Sequence, residues 1–372
     1  MKVSELSGEV FIAGAGVCGK EFMEKAKTNN NIIVRGFIDN DLIKQGTTYQ
    51  MLSVFSAENA AKRFQDAIVV IAIHNKDARF AMFKQLSEVG FQKIYNESED
   101  GLRVVPYQKN EDGTWLPMFD YIETHVMNGC NMKCKGCTHF SNLFDTNDMV
   151  PFESFSCSMR KLSKVCTINE IRLLGGEPLL NKNILEYVKE TVSCFPNADV
   201  RIVTNGILLS QCSLDLLSYM KEHDVLFNIS WYSKIKEKKQ KIEEMLKKKG
   251  VRFFSYLPEV NMFSRCLTDK AVHDAYISQK NCDQAMCHIY VGTKIYKCPM
   301  AAYIYKFNDK YQMHYPVNEF IDIEVATTDQ LWQFAEMGEF RPIELCKFCN
   351  EKPQSFKWER SENPEKEEWL VH

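Results

Sequence analysis

Short apolar runs alternate with amphipathic stretches along most of the chain, and their order predicts the architecture. Val10 to Ala13 reads as a strand and Cys18 to Lys27 as a helix. Ile32 to Phe37 is a second strand, Glu58 to Phe64 a helix, and Ile68 to Ile73 a continuous apolar run of the kind buried on both faces of a parallel sheet. Asp77 to Val89 is then helical, and Gln92 to Tyr95 makes a short fourth strand, so residues 1–105 form a small doubly wound module. The stretch Asn96 to Gly113 is polar, carries Gly101, Pro106 and Gly113 and has no period, which places a linker at 106–120.

A second alternating series follows. Strands are expected at Tyr121 to Met127, Glu170 to Leu174, Val200 to Thr204, Val225 to Ser230 and Val251 to Tyr256. Helices are expected at Phe152 to Val165, Ile184 to Cys194, Leu214 to Lys221 and Ile235 to Lys249. Repetition on this scale fits a complete or partial β/α barrel over 121–260, whose chemistry sits at the carboxyl ends of its strands. After about Pro258 the alternation fades and cysteines become dense, so 261–372 is expected to be a loop-rich unit held by a metal. The run Lys234 to Lys249 is interrupted by Glu237, Glu243 and Glu244 and reads as a solvated helix face.

Composition narrows the function classes. The 46 Lys and Arg nearly balance the 49 Asp and Glu, so no field draws in nucleic acid or anionic lipid. The opening MKVSELSGEV lacks the regions of a secretory signal, and no apolar run reaches membrane-spanning length, so a cytoplasmic protein is expected, with no membrane partner. A reducing compartment argues against a disulfide framework for the 14 cysteines and makes metal or cluster ligation the leading explanation.

The most informative segment is Cys130-Asn-Met-Lys-Cys134-Lys-Gly-Cys137, just after the first barrel strand. Three thiolates within one loop hold one corner region of a cubane cluster and leave the fourth iron without a protein ligand, as a metal that must bind substrate requires. Alone, the motif reads equally well as a zinc knuckle or as buried free thiols. Two further motifs stand at later strand ends. Gly175-Gly176-Glu177-Pro178 offers backbone that approaches a ligand closely and a carboxylate suited to an ammonium group, and Thr204-Asn205-Gly206 ends the next strand. Each by itself is also an ordinary turn.

Together, CNMKCKGC, GGEP and TNG, in this order and at these strand ends, resemble the radical S-adenosylmethionine (SAM) superfamily over roughly Tyr121 to Tyr256. The resemblance implies a partial (β/α)6 barrel and a [4Fe-4S] cluster on Cys130, Cys134 and Cys137, with its open iron chelated by SAM. It also implies that Gly175, Gly176 and Glu177 contact the methionyl end and that Thr204 and Asn205 lie near the ribose or adenosine. SAM would be reduced to give a 5'-deoxyadenosyl radical that takes hydrogen from a small-molecule substrate, with an electron donor such as flavodoxin or ferredoxin. One departure is Gly136, where the family usually has an aromatic residue against adenine; His139 and Phe140 are the candidate substitutes.

Downstream, Cys287, Cys298, Cys346 and Cys349 form a second group, with Cys282 as an alternative ligand. Four thiolates suit tetrahedral zinc and a fully ligated cubane alike. Their spacing resembles the auxiliary-cluster domain of the SPASM/twitch branch, which implies a second [4Fe-4S] cluster. Cys157, Cys166, Cys194, Cys212 and Cys266 fit neither spacing and read as small buried hydrophobes, with Cys266 also a candidate hydrogen-atom donor.

In the front module, Gly14-Ala-Gly16-Val-Cys-Gly19 follows a strand and opens a helix, where backbone amides meet a phosphate, and Asp39 ends the next strand, where an acid meets a ribose. The alternative is a tight turn without a ligand. FIAGAGVCGKEF, GFIDND and VVIAIHN resemble a Rossmann-like domain found ahead of enzymes of surface-polysaccharide and sugar-nucleotide metabolism, which implies a nucleotide or nucleotide-sugar ligand. The fold class expected is therefore α/β: Rossmann-like sheet, radical SAM partial barrel, then a cysteine-rich cluster domain. The leading function is a radical SAM enzyme acting on a sugar or nucleotide-sugar. A peptide-modifying radical SAM enzyme and a non-catalytic zinc or iron-sulfur nucleotide-binding protein are the alternatives.

Overall fold

The computed structural model describes residues 3–98, 101–335 and 341–371 and is a mixed α/β structure with sheets rich in parallel strands. It divides into two compact units, 1–106 and 107–372. Residues 99 and 100, inside the polar stretch Asn96 to Gly113, lie outside the described residues.

In the first unit, strands β1 (Gly8–Ala13), β2 (Ile32–Ile38), β3 (Thr48–Tyr49), β4 (Leu52–Phe55), β5 (Ile68–Ile71), β6 (Ile94–Ser98) and β7 (Gly101–Val104) lie in the order 3-4-2-1-5-6-7. The contacts of β1 with β2 and β5, of β2 with β4 and of β5 with β6 are parallel; β3 and β7 are antiparallel edges. Helices α1 (Val17–Ala26), α2 (Ala57–Phe64) and α3 (Lys76–Glu88) connect them. Ser56 caps α2 at Asn59 N and Asn75 caps α3 at Ala78 N, which fixes where each helix begins. Val10, Ile12, Phe22, Phe37 and Val70 fill the core.

The second unit is built on an eight-stranded sheet. Its strands are β8 (Met118–Met127), β9 (Thr167–Gly175), β10 (Asp199–Thr204), β11 (Leu226–Ile229) and β12 (Phe253–Phe254), then β14 (Ile289–Val291), β15 (Lys294–Tyr296) and β16 (Phe320–Asp322), in the order 12-11-10-9-8-14-15-16; β13 (Met262–Leu267) belongs elsewhere. From β12 to β8 every contact is parallel, with α4 (Phe152–Val165), α5 (Ile184–Cys194), α6 (Leu214–Glu222) and α7 (Lys239–Lys249) as crossovers. Their apolar faces and one face of the strands make a continuous core around Ile122, Leu162, Ile171, Tyr187, Ile202 and Phe227.

The cysteine-rich stretch from 261 belongs to this same unit. Strand β14 pairs on β8 through Ile289↔Glu123 and extends the sheet as an antiparallel meander. Strand β17 (Cys349–Lys357) pairs antiparallel with β13 in a separate ribbon. Helices α8 (Ala275–Lys280), α9 (Pro299–Tyr311) and α10 (Thr328–Ala335) complete the unit, and Phe140, Ile304, Phe307 and Trp369 form a second core beneath α9. Residues 107–116, within the expected linker, are a tight hairpin closed by Lys109↔Trp115. Among the described residues no helix is long and apolar enough to cross a membrane.

All five tryptophans, Trp115, Trp231, Trp332, Trp358 and Trp369, lie in the second unit, so their fluorescence reports on it alone. Leu162 is fully buried on α4, and Leu162→Ala is expected to cost about 2–5 kcal/mol. A denaturation midpoint that fails to fall, followed by that fluorescence, would contradict the assigned core.

Candidate active site

The carboxyl ends of β8, β9, β10 and β11 open on one cavity of about 190 Å3. Cys130, Cys134 and Cys137 line it, with Gly175 and Gly176 from the end of β9, Thr204 and Asn205 after β10, Ser230 and Tyr232 after β11, and His139 and Phe263. The three sequence motifs therefore meet at a single mouth. Among the described residues no three or more His, Cys, Asp or Glu side chains are gathered closely enough to hold a single metal ion; the thiols stand apart around a space instead of converging on a point. No further cysteine lines that space.

Burial pushes the thiols up, Cys130 and Cys134 to about 12, because a thiolate loses its hydration there. A bound positive centre reverses that preference, which is the environment of a ligand cysteine. Three thiols, Cys134 buried and Cys130 and Cys137 partly so, and a cavity of multi-atom size fit a [4Fe-4S] cluster.

The two glycines act mainly on protein. A Cβ on Gly175, at φ +143°, would stand 1.7 Å from Met127 O, and one on Gly176 would stand 2.0 Å from Gly129 O. Glycine there lets Gly176 N donate to Met127 O at 2.8 Å and Glu177 N to Gly129 O at 2.9 Å. These bonds fasten the end of β9 to the backbone that leads into Cys130.

Glu177 corrects the sequence reading. It is fully buried and does not line the cavity. Its carboxylate accepts hydrogen bonds from Thr204 Oγ1 at 2.7 Å, Asn205 N at 2.8 Å and Leu179 N at 3.1 Å. Held by those three donors, it positions Thr204 and Asn205, and Asn205 Nδ2 in turn donates to Asn131 Oδ1 in the cysteine loop at 2.8 Å.

Gly136, at φ +63°, lies beneath Glu368 and Phe356, where a Cβ would already be 2.8 Å from Glu368 O, so an aromatic side chain has no room there. Of its candidate substitutes, His139 lines the cavity and Phe140 does not: Phe140 is buried against Phe307 and Trp369.

The second cysteine group also departs from expectation. Cys298, Cys346 and Cys349 line one small apolar cavity of about 30 Å3 together with Cys282 and Cys266. Cys287 is set apart, its sulfur accepting the Tyr121 hydroxyl at 2.7 Å. Hydrogen-bonded turns after α8 separate the two thiols: Cys282 N donates to Gln279 O and Cys287 N to Gln284 O. Cys266, on β13, reaches the group because β13 pairs with β17; its Sγ is 3.9 Å from that of Cys349.

In the first unit, Gly14, Gly16 and Gly19 do join β1 to α1, and Gly19 packs on the Gly14 carbonyl. Asp39 is turned inward: its carboxylate accepts Ala15 N at 2.8 Å and Lys44 Nζ at 3.2 Å, so it braces the glycine loop.

Sequence reading missed a polar row on the inner face of β8 to β10. Arg172 Nη1 donates to Glu123 at 3.3 Å and Nη2 to Tyr256 Oη at 2.6 Å, and Arg201 pairs with Glu170 at 2.8 Å. His125 Nε2 and His139 Nδ1 are 3.0 Å apart, and His125 Nδ1 meets Asn128 Oδ1 at 2.9 Å. The signal was present as alternation: Glu123 and His125, then Glu170 and Arg172, occupy every second position of otherwise buried strands.

Residues 124–233 match the model of the radical SAM superfamily. The chain carries a radical SAM domain over this stretch. The radical SAM domain implies a [4Fe-4S] cluster and SAM. The GTP 3',8-cyclase of Helicobacter pylori is 29% identical over 143 residues, 35% of this chain and 44% of that protein. The GTP 3',8-cyclase of Clostridium acetobutylicum is 35% identical over 98 residues, 26% of this chain and 30% of that protein. The matched stretch thus spans less than half the length of these relatives. Among solved structures, BtrN in complex with AdoMet and 2-DOIA is similar with 19% identity and a TM-score of 0.38, covering 63% of this chain and 94% of that one.

Gly176→Ala is expected to displace the cysteine loop and sharply reduce the cluster absorbance of anaerobically reconstituted protein, with far-ultraviolet circular dichroism retained. Gly16→Ala, whose Cβ would meet nothing within 4 Å, is the control expected to leave it unchanged.

Proposed function

We propose that Cys130, Cys134 and Cys137 hold a [4Fe-4S] cluster with SAM beside it, and that the enzyme removes a hydrogen atom from a sugar or nucleotide-sugar. The observation that carries this reading is the meeting of three thiols, and of no further cysteine, with the ends of GGEP and TNG around one cavity. A cubane held by three thiolates keeps one iron open. When bound, the cluster supplies the electron that cleaves SAM to methionine and a 5'-deoxyadenosyl radical. The chain's own part is placement. The Gly175 and Gly176 backbone forms one wall, Glu177 locks Thr204 and Asn205 onto another, and Tyr232 and Phe263 offer aromatic surface in place of a residue at 136.

The cavity wall carries Thr138, Ser141, Asn142, Thr204, Asn205 and Ser230, which supply both donors and acceptors and support a polyhydroxyl substrate over an apolar one. The relatives named GTP 3',8-cyclase support SAM chemistry; their likeness covers too little of the chain to carry over a substrate. For the second cysteine group we favour an auxiliary [4Fe-4S] cluster of SPASM/twitch type on Cys282, Cys298, Cys346 and Cys349. Its support is their shared cavity and a spacing that ends in C-x2-C. For residues 1–106 we favour a Rossmann-like unit binding a nucleotide or nucleotide-sugar, on the strength of the glycine loop that opens α1, whose first-turn amides have no partner within the helix. The setting is taken as cytoplasmic, with flavodoxin or ferredoxin as electron donor.

Anaerobically reconstituted protein given SAM and dithionite is expected to release 5'-deoxyadenosine, and Cys134→Ala to abolish that release; an active Cys134→Ala variant would remove Cys134 from the ligand set. Iron analysis is expected to give about eight irons per chain, two cubanes. Cys282→Ser should lower that to about four and Cys287→Ser should leave it unchanged. Zinc without iron would favour a non-catalytic reading, and the reverse pattern for the two serine variants would restore Cys287 as the ligand.

A further inference from the structure

The cysteine loop is covered by the last stretch of the chain, and the cover reaches a sulfur. Residues 358–369 lie along Lys133 to Cys137: Lys135 N donates to Glu359 O at 2.9 Å, Ser361 N to Lys133 O at 2.8 Å, and Trp369 Nε1 to Cys137 O at 2.9 Å. Lys135 pairs with Glu359 and Lys133 with Glu362, each at 3.0 Å. These contacts fix the strap in register, and they place the indole of Trp358 so that Nε1 donates to Cys134 Sγ at 3.1 Å. Tyr232, which follows β11 and lines the cavity, places its hydroxyl near the same sulfur. The rings of Tyr232 and Trp358 lie 5.4 Å apart, so the two side chains pack together beside that sulfur. Cys134 is itself buried, with 8% of its surface exposed, which keeps water from offering the same bonds.

Two N–H or O–H donors aimed at a thiol have little to gain from a neutral S–H, a weak acceptor. They gain much more from a thiolate, where the bond is charge-assisted. On an iron-sulfur cluster such bonds stabilise the form carrying more negative charge, which is the reduced one, and so raise the reduction potential. Neither Trp358 nor Tyr232 belongs to the matched motifs, and Trp358 lies well outside residues 124–233.

We infer that Trp358 and Tyr232 are positioning residues that raise the reduction potential of the cluster on Cys130, Cys134 and Cys137 by donating hydrogen bonds to the Cys134 sulfur. The inference rests on the proposed cluster site. It makes the carboxyl-terminal strap part of the redox centre: a chain in which the strap is undocked holds the same three cysteines but a cluster that is harder to reduce.

The test is a potentiometric titration of the whole reconstituted chain, read by the electron paramagnetic resonance signal that changes on addition of SAM. That response distinguishes the SAM-binding cluster from any auxiliary one. Trp358→Phe keeps an aromatic ring and removes the donor; Tyr232→Phe removes the neighbouring hydroxyl. Each is expected to shift the midpoint to lower potential, and the double variant to shift it further. Glu359→Gln, which weakens the Lys135 pair but keeps Trp358, is expected to leave it in place. An unchanged or raised midpoint in either single variant that retains the signal overturns the inference. Absence of a SAM-responsive signal in the unsubstituted chain defeats the proposed site instead, so the two failures are told apart. Should Trp358→Phe fail to load iron, Tyr232→Phe alone decides, because its substitution does not touch the strap's backbone pairing.

Discussion

The cavity exists because two backbones approach more closely than side chains allow. Where β9 ends, Gly175 and Gly176 sit on the carbonyls of Met127 and Gly129, and the amides of Gly176 and Glu177 donate into that same stretch. This contact sets the position of Cys130 relative to the sheet. It also commits Glu177: once its amide is bonded to Gly129, its side chain points into the interior and finds Thr204 and the Asn205 amide. A buried carboxylate is costly unless it is hydrogen-bonded, and three donors offset that cost. The GGEP and TNG motifs are therefore one mechanical unit, and the cysteine loop hangs from it.

Much of this was legible in the sequence because its signals are local. The parallel core strands announce themselves as apolar runs, and three of the sites where chemistry was expected fall at strand ends. What escaped reading depends on pairings far apart in the chain. Cys266 gave no spacing signal because it joins the second thiol group only through the β13–β17 ribbon. The choice between Cys282 and Cys287 turned on the tight turns between them, which spacing alone does not orient. Asp39 and Glu177 were read as ligand-facing acids; both are used by nearby backbone amides instead. The strand expected over Val251 to Tyr256 shrinks to Phe253–Phe254 because only Phe227 and Asn228 of β11 remain to pair with it.

A second consequence concerns the polar row beneath the cavity. Glu123 and Glu170 are pushed up by burial and pulled down by Arg172, and Glu123 rises to about 7. Arg172 lies with its guanidinium 4.1 Å from the centre of the Tyr121 ring and reaches Tyr256, so its charge is held by stacking as well as by carboxylates. Such a network is worth little as a stabiliser, since hydrophobic replacements of buried ion pairs are often neutral or better.

The strap ties the two thiol groups of the second unit to one strand. Strand β17 begins at Cys349, in the small thiol cavity, and Trp358 follows its last residue, on the sulfur of Cys134. One continuous ribbon thus ends at both thiol groups. Ordering of either end lowers the conformational entropy that the other must lose, because the strand between them is already paired with β13. A metal that binds only the folded form of one site therefore stabilises the strap at the other by linkage, without any direct contact between the two groups. The cysteines after residue 261 acquire a reason to lie where they do: they anchor the far end of the strand that finishes the cavity.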